Sequence, residues 1–562
     1  MTQSADNISY PGELSSGHPH LFGTQLSIEP CPGWSLAVNR LLQYGGGGGL
    51  PDSASFLLRD FFKPSGLSQT QGKQQASYIS RFGVRTDEQP IVLNLGNTSA
   101  DDTAYPYPVC LCSPHAEETT VYKSTIVDCG ILLATFLCAM SYGAEEPFTP
   151  SEYGPSPVLP LPENALIPTL RSAKAKPWQA NAMPHPAPGL RVAPVARQLE
   201  HPRWVYVLPN GDILVAESDT PPKPDDAKGI RGAVQKLVQK HAGSGAHPSA
   251  NRITLLRDVN GDGQRVERHI FMRGLNWPIG MVLVGNTFFV ADTDAVVKVP
   301  YKTGDTEIQI APTQFVALPA GTINHHWTKS LIASADGKKL YVGVGSNSNA
   351  GENGMDAEKG RNAIWEIDVA TGSHRIFADG LRNPVGLAWQ PDSGALWVSV
   401  NERDELGDHL PPDYMTAVRD GGFYGFPFSY YGQHVDDRVK PQDPDRVAKA
   451  ISPDYALGAH TASLGLCWSG DSKLPDPFQH GMFVGQHGSW NRKVRSGYKV
   501  VFVAFNQGKP EGLPIEVLGG FLSAKGQAQG RPVGLAIDKN GSLLVADDVG
   551  NTVWRVSTLA GK

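Results

Sequence analysis

Two adjacent histidines, His325 and His326, stand before Trp327 and an apolar run in the stretch INHHWTKSLIASADGKKLYVGVGSNSN. An imidazole changes charge near neutral pH, so one placed where the chain turns into a strand can act as a general base; the alternative is a solvated loop. GLRNPVGLAW puts Arg382 and Asn383 before another strand. There a guanidinium could bind a carboxylate or a carbonyl anion and an amide could hydrogen-bond an oxygen, or the arginine could cap a neighbouring loop. NERDELGD gathers Glu402, Asp404, Glu405 and Asp408 around Arg403. Such hard oxygen donors suit Ca²⁺, and equally a solvated acidic loop. HGSWNRKVRSGY brings His487, Trp490, Arg492, Lys493 and Arg495 together. This mixture could stack on and pair with a planar anion, or lie exposed as a basic loop. DVNGDG begins like an EF-hand loop, but its twelfth place is His269 rather than Glu, so it reads as an acidic turn.

These residues belong to a repeated unit. A Pro or small residue, a Gly, an apolar strand, a Gly-containing turn and a second apolar strand ending in a polar cluster recur six times. The units begin in HPRWVYVLPNGDILVAESD, WPIGMVLVGNTFFVADTD, HHWTKSLIASADGKKLYVGVGSNSN, NPVGLAWQPDSGALWVSVNERD, ASLGLCWSGDS and RPVGLAIDKNGSLLVADDVGN. The turns carry hairpin chemistry, and further strands such as AVVKVPY and NTVWRVS follow. Six self-similar four-stranded units predict an all-β, six-bladed propeller over 189–558, with GLRVAPVARQLE (189–200) as the outer strand that closes the last blade. The first strand of each unit would line the channel. Because it runs antiparallel to the second, its start and the second strand's end face one mouth. His201, Asn276, His325, His326, Arg382, Asn383, His460 and Arg531 would meet Glu217, Asp219, Asp292, Asp404, His487 and Asp548 there.

Composition agrees with short strands and turns: 61 Gly and 45 Pro in 562 residues, only 19% charged, with a net charge of −6. Nothing in it asks for nucleic acid. Five of six cysteines precede residue 140, so the repeats hold only Cys467 and no disulfide of their own. Cys110 and Cys112 lack a second pair at zinc spacing. The stretch 122–147 has a basic residue, a short apolar run and small residues, the anatomy of an export signal, and the run is too short to span a membrane. It precedes a Pro-rich linker; residues 1–120, with the Gly45–Gly49 tract, read as a disordered extension and 121–188 as signal-like segment plus linker. The insertion at 219–250 suggests a short amphipathic basic helix.

In order, PRWVYVLPNGDILVAE, NHHWTKSL, GLRNPVGLAW, NERDELGD, DGGFYGFPFSYYGQH, HGSWNR and GRPVGLAI resemble the PQQ-dependent glucose/sorbosone dehydrogenase family, nearer its sorbosone branch, over 189–558. That resemblance implies a soluble propeller oxidising an aldose or related aldehyde by hydride transfer to pyrroloquinoline quinone (PQQ), with Ca²⁺ bound. It implies His326 as the base, and Arg382 and Asn383 as quinone contacts. It also implies Arg531 on a cofactor carboxylate, His460 beside the quinone, Asp404 and Glu405 at the metal, and Asp408 as a further catalytic group. The family's cofactor-binding lysine has no counterpart, leaving Arg492 or His487 in its place. No haem-attachment motif is present, so electrons would pass to a separate acceptor, a cytochrome or quinone. Export to the periplasm or beyond would follow if 123–144 acts as a signal. Two other readings remain: a Ca²⁺-dependent lactonase using Glu217, Asn276 and Asp548, and a propeller that binds without catalysis.

Overall fold

The structure is a computed structural model. It describes residues 148–149, 151–163, 169, 171–221, 248–259 and 265–559, together with the backbone of five N-terminal strands. The chain divides into two compact units, Met1–Tyr142 and Gly143–Lys562. The first contains an antiparallel sheet of Thr2–Ser4, His20–Cys31, Trp34–Tyr44, Ala76–Arg85 and Pro90–Thr98, inside the stretch for which the sequence suggested disorder. Segments such as QLSIE alternate polar and apolar residues, a strand pattern. The signal-like stretch, most of the 219–250 insertion and most of the DVNGDG loop lie outside the described residues.

The second unit is a six-bladed β-propeller. The inner strands are Pro202–Val207, Gly280–Val284, Lys329–Ala333, Pro384–Gln390, Ser463–Trp468 and Pro532–Ile537. Each touches the next, and the last touches the first, which closes the ring. Leu190–Ala196 pairs antiparallel with Thr552–Thr558, so the N-terminal side of the repeats supplies the sixth blade's outer strand, as the sequence predicted.

The recurring glycine of the inner strands has a packing cause. At Gly280, Gly386, Gly465 and Gly534 a Cβ would overlap the following inner strand, at Leu331, Leu466, Val533 and Trp204 respectively. Inner strands converge on the axis, and glycine permits the close approach that the taper needs. Strand register then sets the mouth: Lys329 faces Val344, Pro384 faces Val400 and Pro532 faces Asp547. Residues before each first strand therefore meet residues after each second strand.

The Pro-rich segment before the repeats joins the sheet system. Tyr153–Gly154 extends the fourth blade and His185–Pro186 the fifth. Ala173 is fully buried, and Trp178 packs edge-on to Trp554 and Phe521. The described residues between 148 and 188 thus form a strap across blades four to six, over ground that the sequence assigned to a linker. Among the described residues no helix is long and apolar enough to cross a membrane.

Candidate functional site

A cavity of about 250 Å³ opens at the predicted mouth. His325, His326, Asn383, Asn401, His487, Arg203 and Arg531 supply its polar wall, and Trp204, Trp327, Trp490, Ile279, Val385, Leu464 and Val533 its apolar surface. Apart from Trp490, which lies in the loop after Gln486, the apolar residues come from inner strands or their starts; apart from Arg203, which is inside an inner strand, the polar ones come from the segments flanking the strands that register brings together.

His326 is held by its backbone side. Nδ1 lies 2.8 Å from the Ser346 carbonyl, which can only accept, so Nδ1 carries the hydrogen and Nε2 keeps its lone pair. Burial, followed by the Arg382 charge, pushes the imidazole well below its usual range, so it is neutral at pH 7. Gly345 makes this packing possible: a Cβ there would overlap both Asn383 Oδ1 and His326 Cβ.

On the opposite wall Arg203 donates to Asp548 at 2.6 Å and lies 5.5 Å over the Trp327 ring. His487 Nε2 donates to the same carboxylate at 2.9 Å. Burial pushes His487 down to about 4, so it is a neutral donor. Burial alone would raise Asp548, but the surrounding histidines and Arg203 hold it below the ordinary carboxylate range. Arg531 donates one nitrogen to the carbonyls of His487 and Gly488, at 3.3 and 3.2 Å, and lies 4.8 Å from the Tyr498 ring centre. Its Nε and Nη2 are buried and lack a hydrogen-bond partner, as does Arg203 Nε. Buried donors of this kind are costly unless a ligand takes them.

The sequence candidates separate into two groups. His326, Asn383, His487 and Arg531 line one cavity. Arg382 stands behind it, its guanidinium donating to the carbonyls of Asn349, Asn401 and Glu402 and to Asn349 Oδ1, 3.7 Å from Asp404. His460 donates from Nε2 to the Gly407 carbonyl at 2.8 Å, with Nδ1 3.4 Å from Asp404. Asp408 accepts from Thr169 Oγ1 and the Lys493 amide, and Arg492 pairs with Glu152. These four bind loops around the cavity rather than lining it.

Asp404 and Glu405 are engaged with partners of the protein's own. Asp404 accepts from Asn491 at 2.6 Å and lies beside Arg382 and His460. Its carbonyl takes hydrogen bonds from Asn349 and Arg438, and Arg438 also reaches the Glu405 carbonyl. A Ca²⁺ ligand needs those oxygens free of competing cations. Among the described residues no group of three or more His, Cys, Asp or Glu could hold a metal ion. The lactonase set disperses too: Glu217 accepts from Arg252 and Thr254, while Asp548 is held by Arg203 and His487.

Sequence reasoning passed over Arg203. The other arginines of the mouth precede Pro or Asn-Pro, whereas Arg203 follows Pro202 and is the second residue of its strand. The signal was there in HPRW, two residues out of phase with the arginine of RPVG.

Comparison with known proteins agrees with this fold. The propeller of a pyranose dehydrogenase PQQ domain from Coprinopsis cinerea aligns at TM-score 0.53 and 20% identity, covering 69% of this chain and all of that one. A Trichoderma reesei Carbohydrate-Active Enzymes Family AA12 protein aligns at 0.53 and 18%, over 69% of this chain and 99% of its own. A Borreliella burgdorferi protein without an assigned activity is 28% identical over 50% of this chain and 76% of its own. The aldose sugar dehydrogenase YliI of Escherichia coli is 24% identical over 31% of this chain and 48% of its own, so the match spans about half of that relative. The relatives with stated activities are sugar oxidoreductases. The TrAA12-like family model matches residues 184–410 and 431–558, which is well over half the chain and takes in every cavity residue, and the chain belongs to that family.

Proposed function

We propose that this protein oxidises an aldose or a related sugar aldehyde in the cavity, with PQQ as the bound oxidant. The observation that carries the reading is the pair of buried guanidinium groups, Arg531 and Arg203, each with a donor nitrogen lacking a partner, at a cavity with a neutral His326. PQQ is a planar anion with carboxylates, and this cavity offers guanidinium donors, indole surfaces and an apolar floor. Arg531 and Arg203 would hold its carboxylates, Trp490 and Val533 would cover the ring, and Asn383 would meet an oxygen. When bound, PQQ supplies the acceptor for the hydride that leaves the sugar carbon.

The chain's own part is proton handling. His326 Nε2 takes the hydroxyl proton of the sugar as the carbon is oxidised, and the Ser346 carbonyl stabilises the imidazolium through Nδ1–H. Burial, with the Arg382 charge behind it, keeps His326 neutral and able to accept that proton. No step is assigned to Ca²⁺, because Asp404 and Glu405 are engaged with Arg382, His460 and Arg438. Electrons would leave to a separate cytochrome or quinone, and export from the cytoplasm would suit that partner.

The test is to add PQQ to apo-protein, follow the cofactor spectrum, and measure dye reduction by aldoses. His326→Ala should cut turnover about 10²–10⁴-fold while PQQ still binds. Lack of PQQ binding by the wild type, or full turnover in the variant, overturns the reading.

A further inference from the structure

Part of the cavity wall is held from outside the family-matched region. The loop after Gln486 carries His487 and Trp490 into the cavity, and its tip folds back through Arg492. Arg492 is 2% exposed, and its two terminal nitrogens donate in parallel to the two Glu152 oxygens, each at 2.9 Å. Glu152 lies in the strap, upstream of residue 184, where the family match begins. It also accepts from His409 Nδ1 and from the Ala459 amide, so one carboxylate ties the strap to the fourth and fifth blades. A fork-on-fork pair of this kind fixes direction as well as distance.

Further strap contacts repeat the pattern. The Arg171 amide donates to the Trp490 carbonyl at 2.7 Å, and its guanidinium donates to the Lys493 carbonyl. Thr169 donates to Asp408, and the Glu163 amide to the Leu406 carbonyl at 2.9 Å. Tyr153 fills the space over Gly458, where a Cβ would overlap its ring. Both loops that flank the mouth, 404–409 and 487–493, are therefore held by the same segment.

We infer that Glu152 is a positioning residue for the cofactor site: through Arg492 it sets the His487–Trp490 wall against which the planar cofactor lies. The inference rests on the functional reading above for the identity of that cofactor. Glu152→Gln keeps the shape and removes the charge; Arg492→Lys keeps the charge and removes the fork. In both, amide hydrogen exchange of residues 487–496 in the apo-protein should accelerate, while the strand Gly481–Gln486 stays protected. The PQQ dissociation constant, read from tryptophan fluorescence quenching, should rise about 10–100-fold, because small misplacements in a rigid site are costly. Exchanging the two charges, Glu152→Arg with Arg492→Glu, should recover part of that loss. A uniform rise in exchange with unchanged affinity would reduce Glu152 to a stability contact and overturn the inference, as would normal exchange at 487–496. Failure of the wild type to bind PQQ would instead overturn the functional reading, and the exchange result would still decide whether Glu152 positions the loop.

Discussion

At the scale of single residues the site depends on one missing methyl group. His326 and Asn383 approach across Gly345, the residue following the second strand of the third blade, and a side chain there would have to displace one or both. Gly345→Ala is expected to lower kcat about 10²-fold and to weaken PQQ binding as well, because both the imidazole and the Asn383 amide must move. Steady-state kinetics beside a PQQ titration checks this; unchanged kcat would remove Gly345 from the argument. Arg382 also changes meaning at this scale. The same guanidinium expected to meet a quinone spends its donors on Asn349, Asn401 and Glu402, and reaches His326 only through its field.

At the scale of elements, the 401–408 loop is held by Arg403. Its side chain is fully buried and donates to Glu402, Asp436 and the carbonyls of Pro427 and Ser429, with the rings of Phe426 and Tyr430 5.0 and 5.9 Å away. The acidic cluster is therefore part of an internal ion network joining the loop to 427–436. Arg403→Met should destabilise the propeller by about 3–5 kcal/mol, because Glu402 would be left as an uncompensated buried carboxylate and Asp436 would keep only Arg438. Denaturant unfolding measures it, and a loss below about 1 kcal/mol would contradict the network's importance. The double substitution Arg403→Met with Glu402→Gln should be less destabilised than the sum of the single changes, since it removes the stranded charge.

For the whole molecule, ring closure buries opposing titratable groups in one mouth, and their pH effects oppose each other. Burial lowers His201, His326 and His487, so each costs stability as pH falls below about 6.5, where the unfolded chain takes up protons more readily. Burial raises Asp292 to about 7, with one oxygen lacking a hydrogen-bond partner. A raised carboxylate has the opposite sign: it costs stability as pH rises above the unfolded carboxylate range toward 7. Asp292→Asn should therefore melt higher than the wild type at pH 8, and that advantage should vanish near pH 4. Thermal melts at the two pH values decide it, and a constant difference would show that Asp292 ionises freely in the fold.

The propeller was legible in the sequence because its physics is local. Hairpin turns and paired apolar strands recur with each blade, a Pro-x-Gly start marks three of the six, and the glycine that inner-strand convergence requires recurs in four. The closing strand 189–196 and the placing of His326, Asn383, His487 and Arg531 at one mouth follow from strand register, which repetition alone determines. Which charged side chains face the cavity was not legible. Arg382, His460, Asp408 and Arg492 have the right types at the right end, but long-range partners turn them into supports: Asn349, Gly407, Thr169 and Glu152 are 33 to 340 residues away in sequence. The sequence determined the ring and the end at which chemistry can occur. Only the tertiary structure decided the direction of each guanidinium and carboxylate, because that depends on which distant carbonyl or counter-charge satisfies it once water is excluded.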